Sequence, residues 1–196
     1  ALQPDSCRPW SRIERHRVTV APRERRNYRF EVHVPDDAKA GECRFAVLFQ
    51  QPEDTADRMA MADGVSLPVV GQVAVIVYVA VGGAAPQLEV AEAVASPTGG
   101  APLMLMIQNS GNAHGRPAGI LTGRDAEGRE FQFEVGQVAV LPGMKRQVPL
   151  WPDRVEEDRP EIAFPIQLEG MVEWRNGEAR VSTTVRAGTA PADATR

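Results

Sequence analysis

The sequence has few of the residues from which metal centres and redox sites are built. Its 196 residues include two cysteines, Cys7 and Cys43, and three histidines, His16, His33 and His114. No histidine lies within metal-ligand spacing of another histidine or of a cysteine, so we expect no metal site and no cofactor. The two cysteines fit either two free buried thiols or a disulfide. A disulfide would close a loop of about 36 residues and indicate an oxidising compartment.

Long apolar runs and an excess of positive charge are also missing. The longest apolar stretch, at 69–81, is shorter than the roughly 20 residues that span a bilayer, and Gly71 and Gln72 interrupt it. The formal net charge is −4, whereas a general nucleic-acid binder is usually basic. We therefore expect neither a membrane span nor a nucleic-acid partner. The basic cluster at 23–26 is either a charged turn or a contact for a partner's carboxylate.

Amphipathic helical patterns are scarce, and short alternating runs between turn residues take their place. This pattern predicts an all-β chain of two tandem immunoglobulin-like β-sandwich domains. The domains are expected at 1–83 and 84–188, followed by a disordered tail at 189–196. Four or five strands precede the Gly82-Gly83 hinge, against about seven in a full sandwich, which favours a first domain without its opening strands. The predicted strands are 17–20, 28–34, 43–49 and 72–81, then 87–93, 103–108, 118–123, 130–134, 137–141, 146–150, 166–174 and 179–185.

The strand at 72–81 is apolar on both faces. Side chains alternate along a strand, so Val73, Val75, Val77 and Val79 face one way, and Ile76 and Tyr78 the other. Such a strand is either covered on two sides or keeps an apolar surface for a partner. A long polar loop at 50–66, of a length that is often functional in compact domains, is expected directly before it.

Several short motifs occur in the order typical of one protein family. Leu-Met-Leu-Met-Ile-Gln-Asn-Ser-Gly-Asn-Ala-His at 103–114 resembles the start of the second domain of periplasmic pilus-assembly chaperones, the chaperone–usher superfamily. The strand at 72–81 falls where that family keeps the last strand of its first domain. The remaining matching motifs lie at 20–24, 30–35, 41–45, 119–121, 140–143 with Arg146, and 170–174.

The resemblance implies a periplasmic protein without catalytic activity. In that family, the last strand of the first domain is lent to an incomplete pilus or fimbrial subunit, which is β-augmentation in physical terms. By position, the partner-binding side chains would be Val73, Val75, Val77 and Val79, or Ile76 and Tyr78 from the opposite face. A pilus subunit and an outer-membrane usher are the implied partners. The hinge at 81–86 lacks the basic residue that the family often has after this strand.

Two other functions are compatible with the sequence. Tandem sandwiches also serve as extracytoplasmic adhesion or scaffold modules, in which the strand at 72–81 would be an ordinary covered core strand. An enzyme would need His114 with Ser110 or a nearby carboxylate as its base, but no Gly-x-Ser-x-Gly elbow surrounds that serine. The sequence favours a binding protein over an enzyme.

Overall fold

The computed structural model describes residues 6–51, 57–60, 66–69, 71–96, 102–152 and 161–188, with the segments 57–60 and 66–69 described by their backbone only. The expected all-β fold is confirmed, because the described residues form strands, one short 3-10 turn at Arg8–Trp10 and no α-helix. In the described part of the chain, no helix has the length and hydropathy needed to cross a bilayer. The chain divides into two compact units, Ala1–Val81 and Gly82–Arg196. The strands are β1 (Ser11–Arg12), β2 (Glu31–Val32), β3 (Gly41–Gln50), β4 (Asp57–Ala60), β5 (Ser66–Val69), β6 (Gln72–Val81), β7 (Leu88–Ala95), β8 (Leu103–Asn109), β9 (Ile120–Arg124), β10 (Glu130–Val135), β11 (Lys145–Pro152), β12 (Ile166–Trp174) and β13 (Gly177–Val185).

The second unit is an immunoglobulin-like sandwich of seven antiparallel strands. One layer contains β7, β8 and β11, and the other contains β10, β9, β12 and β13. Strand β11 joins the layers, since residues 145–150 pair with β8 and residues 150–152 pair with β10. Strand β13 lies against β7. With β13 against β7, the seven strands close into an immunoglobulin-like sandwich.

Alternation along these strands produces the core of the second unit. In β10, Phe131, Phe133 and Val135 are buried, whereas the residues between them are exposed. The same pattern in the other strands, together with Val140 outside them, brings sixteen buried apolar side chains into one cluster, which fills the space between the two layers. The buried positions with no exposed surface include Leu103, Leu105, Ile107, Leu121, Phe133, Val148, Leu150, Ile166, Leu168 and Val172.

The first unit is built on the two-stranded ribbon of β3 and β6. Ten residue pairs join them without interruption, from Gly41 opposite Val81 to Gln50 opposite Gln72. The chain that precedes β3 covers one face of this ribbon, and the buried residues of that cluster are Cys7, Phe45 and Val47. The half-buried side chains around them are those of Trp10, Ile13, Tyr28, Phe30, Val32, Cys43, Val77 and Val79.

A disulfide between Cys7 and Cys43 ties this cover to the ribbon. The Cα atoms of the two residues are 5.4 Å apart, and Cys7 is 1% exposed. Of the two states that the sequence left open for these cysteines, the structure therefore contains the bonded one.

Two of the predicted strands are wrong, and the structure shows why. Residues 137–141 have the alternation of a strand, but Arg116 Nη1 donates to Gln137 O at 3.0 Å and Arg146 Nη1 to Ala139 O at 2.7 Å. Arginine side chains thus bind the carbonyls that a neighbouring strand would use, and only an isolated bridge between Val140 and Gly115 forms. Residues 17–20 also alternate, but the described residues provide no strand beside them.

The first unit differs from the expectation in two more places. Only Glu31–Val32 of the strand expected at 28–34 pairs, with Ser11–Arg12, a strand that the sequence did not indicate. The loop expected at 50–66 contains β4, which pairs with β5 from Asp57 opposite Val69 to Ala60 opposite Ser66. The tail predicted at 189–196 lies outside the described residues.

Candidate functional site: the free edge of strand β6

Among the described strands, β6 has a neighbour on one edge only. All ten of its residues pair with β3, and no other described strand lies beside it. An edge of this kind presents unpaired backbone N–H and C=O groups that can template pairing with another chain. Natural proteins usually protect a long edge with charged residues, proline or a bulge. Residues 72–81 contain no charged residue and no proline, and their register has no break.

The backbone groups at this edge can be assigned from the ladder. Gln51 N–H donates to Gly71 O at 3.2 Å, one step beyond the last paired residues. Hydrogen-bonded and non-hydrogen-bonded pairs alternate along an antiparallel ladder. The N–H and C=O groups of Val73, Val75 and Val77 therefore bind β3. Those of Gln72, Ala74 and Ile76 face away from it, toward the free edge.

The inner face of β6, which carries the four valines, is covered over only half of its length. Val77 and Val79 are half-buried against the Phe45 and Val47 cluster. By contrast, Val75 is 47% exposed and Val73 is 62% exposed. At this end, cover lies on the β3 side, where the Tyr28 ring packs edge-on against Phe49, the partner of Val73, with centroids 5.2 Å apart. Val73 and Val75 stay exposed beside it.

The outer face of the ribbon is open at the same end. Ile76 is 55% exposed and lies diagonally from Leu48 of β3, which is also 55% exposed. Their direct partners are Ala46 and Ala74, which are exposed as well. Tyr78, further along this face, is half-buried. The amino-terminal half of β6 thus exposes apolar side chains on both faces, and we call residues 72–76 the open half of β6.

A second hairpin lies between the two strands of the ribbon. Six residues separate β3 from β4, whereas two separate β5 from β6. The β4–β5 hairpin is therefore nested within the β3–β6 hairpin, with four more residues on the β3 side. The open half of β6 is the part of the strand nearest to this nested hairpin in the chain.

The structure answers which face of β6 is exposed, a question that the sequence left open. Neither face is exposed along its whole length, and the division falls across the strand near Val77. Two exposed apolar residues of β3 beside the open half of β6 were not predicted as part of this surface. The sequence predicts a strand at 43–49 that is apolar enough to be central, whereas Leu48 is 55% and Phe49 40% exposed. The signal available in the sequence was that this run, like β6, is apolar on both faces at its end.

No family model, no curated protein and no solved structure matches the chain. The geometry of its own residues therefore carries the functional argument.

The loop that contains His114 and Ser110 is hydrogen-bonded to the segment before β7 and to Val140. Asn109 is fully buried, and its Nδ2 donates to Ala113 O and Val140 O, each at 2.8 Å. Its Oδ1 accepts from Gln87 N and Gly111 N at 3.1 and 2.9 Å. The described contact of Ser110 Oγ is with Gln87 O at 3.5 Å, a backbone group and not a base. Among the described residues, no three His, Cys, Asp or Glu side chains come together as metal ligands.

Proposed function

We propose that this chain is an extracytoplasmic binding protein that adds a partner's strand to the free edge of β6 and performs no catalysis. The single observation that carries this proposal is the open half of β6, an uncharged edge with exposed valines on one face and Ile76 on the other. The partner class is a secreted pilus or fimbrial subunit, and the periplasm is the compartment. The resemblance to pilus-assembly chaperones points to the same strand.

The binding energy would come from two sources. Backbone N–H and C=O groups at Ala74 and Ile76 would continue the ladder onto the partner, which is the affinity term in β-augmentation. Val73, Val75 and Ile76 would enter apolar sites of the partner. Complete burial of a Val or Ile side chain is worth about 1.5–3 kcal/mol, and these side chains are about half exposed at present, so each would contribute about 1 kcal/mol.

The Cys7–Cys43 disulfide supports the compartment part of the proposal. Disulfides persist in oxidising environments such as the periplasm and the extracellular space and are rare in the cytosol. A non-catalytic role is supported by the loop around Asn109, where the described contact of Ser110 Oγ is the Gln87 carbonyl oxygen and not a base.

The test is a double substitution that protects the edge. Lysine is a residue with which natural sheets block strand addition, and both Val75 and Ile76 are exposed enough to accept it. We expect a Val75→Lys/Ile76→Lys variant to fold like the wild type and to lose its partner. The tagged protein is recovered from the cells that produce it naturally, and the bound proteins are identified by mass spectrometry.

The matched control is Ile120→Lys. Ile120 is 59% exposed, but its strand β9 is paired on both edges, with β10 and β12. The decisive measurement is hydrogen exchange of the purified complex. We expect the backbone amides of Ala74 and Ile76 to exchange more slowly in the complex than in the free protein. A β-rich secreted partner that is lost with the double variant and kept with Ile120→Lys supports the proposal. A partner kept by both variants, with unprotected amides at Ala74 and Ile76, contradicts it and favours a tandem adhesion or scaffold module.

A further inference from the structure

The first unit contains a stretch of exposed arginines, most of which contact no acidic group among the described residues. Residues 12–29, which we call the arginine segment, contain seven arginines and two glutamates in a chain whose formal net charge is −4. All seven arginines are exposed. Arg26 forms one long ion pair with Glu24, at 3.5 Å. The six whose guanidinium groups contact no carboxylate or carbonyl among the described residues are Arg12, Arg15, Arg17, Arg23, Arg25 and Arg29.

Among the described arginines of the second unit, Arg175 and Arg180 share this state, but others do not. In the second unit, Arg129 binds the Asp125 carboxylate, and Arg124 Nη2 lies 3.1 Å from Glu130 Oε2. Arg116 and Arg146 donate to backbone carbonyls. These four guanidinium groups have intramolecular partners, whereas the arginine segment concentrates positive charge that the fold does not use.

The backbone holds one of these arginines at the corner of a turn. Glu24 N–H donates to Ala21 O at 3.0 Å, and Arg23 has φ of 63°. With Pro22 before it, Arg23 occupies the third position of a type II turn, where glycine or asparagine is usual. A longer side chain is strained in this conformation. The turn therefore keeps a guanidinium group at the position where glycine would be more stable.

The composition of the segment discriminates among polyanions. Single-stranded nucleic acids stack on exposed aromatic rings, but Tyr28 and Phe30 are half-buried, and the Tyr28 hydroxyl donates to Arg15 O at 2.6 Å. Membrane-surface segments are amphipathic helices with Trp, Phe or Leu on one face, whereas this segment has no helix and exposes only Val18 and Val20 as large apolar side chains. A flexible linear polyanion needs neither feature.

We propose that the arginine segment binds an acidic polysaccharide through its sulfate or carboxylate groups. Guanidinium groups form paired, charge-assisted hydrogen bonds with carboxylate and other oxyanions. Basic clusters are typical of nucleic-acid or heparin patches, and the half-buried aromatic rings disfavour single-stranded nucleic acid here. The disulfide of the same unit indicates an oxidising compartment, where acidic polysaccharides are available. This inference is independent of strand addition at β6.

The test measures binding of heparin, as the probe, by calorimetry over a series of salt concentrations. We expect an Arg17→Gln/Arg25→Gln variant to bind about 10-fold more weakly, because two ion contacts are lost. Its affinity should also depend less steeply on salt, because fewer counterions are released on binding. The control, Arg175→Gln/Arg180→Gln, removes the same charge from two exposed positions of the second unit and should bind like the wild type.

A second variant separates binding from folding. Arg23→Gly should raise the melting temperature, because glycine accepts the positive φ, and should still weaken heparin binding. Equal loss of heparin binding in the Arg17/Arg25 and Arg175/Arg180 variants would overturn the proposal, as would unchanged binding by Arg23→Gly. Tighter binding to phosphatidylglycerol vesicles or to a single-stranded oligonucleotide than to heparin would also overturn it.

Discussion

Asn109 shows how a motif chosen for its resemblance to a family has a local physical function. Its side-chain amide uses two donors and two acceptor sites, all with backbone groups. Asn112 Oδ1 accepts from Ala85 N at 3.0 Å, and a Cβ at Gly111 would overlap the backbone of Gln87 and Ala85. The Asn-x-Gly-Asn sequence thus fixes the chain that leads into β7. The sequence revealed the motif, but the role of each residue depended on contacts more than twenty residues away.

Asp125 is the buried charged residue in the described part of the second unit. Its side chain is fully buried, and Arg129 binds it through Nε at 2.8 Å. The backbone N–H groups of Arg129 and Ala163 donate to it at 2.9 and 3.2 Å. Burial raises the pKa of Asp125, but these hydrogen bonds and the charge of Arg129 outweigh burial, so the pKa lies below its usual value of 3.8.

We predict that Asp125 makes the stability of the second unit depend on pH in the acid range. A carboxyl group with a lowered pKa stabilises the fold fully above its unfolded-state pKa, and this contribution is lost as the pH falls from about 3.8 through the folded-state value. Asp125→Asn should therefore lower the melting temperature at pH 7 and flatten its decline below pH 4. The control is Glu127→Gln, an exposed partner of Arg129 at 3.1 Å, which should change stability by less than about 1 kcal/mol. A parallel acid decline in wild type and Asp125→Asn would contradict this assignment.

At the scale of elements, alternation in the sequence predicted strands well where their alternate side chains are buried in a core. All seven strands of the second unit overlap a predicted run, although most extend one or more residues beyond it, because both layers bury their alternate side chains. The run at 137–141 has the same alternation but forms no strand, because arginine side chains bind its carbonyl oxygens. Strand β6 could be identified from its sequence alone. The exposure of its open half could not, because it depends on which side chains of the ribbon the residues before β3 cover.

The assignment of outward and inward amides along β6 predicts different effects of proline at adjacent positions. Proline lacks the N–H group and is tolerated at an edge only where that group faces solvent. Ala74→Pro removes an amide that faces the free edge, whereas Val75→Pro removes a hydrogen bond to β3. We expect Val75→Pro to cost about 1–3 kcal/mol more than Ala74→Pro, the range for a lost buried hydrogen bond. Hydrogen exchange of the β3 amides measures this difference, and equal loss of protection in the two variants would contradict the register of outward groups.

At the scale of the molecule, the two units differ in what stabilises them. The cluster of the second unit contains sixteen buried apolar residues, whereas three described residues are buried in the cluster of the first. Small units with little buried surface usually depend on disulfides or partners. The first unit has a disulfide between its cover and its ribbon, and it leaves the open half of β6 exposed. Both features are consistent with a unit whose sheet is extended by a partner.

We therefore predict that reduction affects the two units unequally. The Cys7–Cys43 bond spans 36 residues, and a loop of that length is worth about 3–4 kcal/mol in the loop-entropy model. Calorimetry in the presence of a reductant, or of a Cys7→Ser/Cys43→Ser variant, should show the transition of the first unit at a much lower temperature. The second unit contains no cysteine, so its transition should stay in place. A shift of both transitions together would show that the second unit depends on the first. Unchanged melting of the first unit would show that its small core is sufficient without the disulfide.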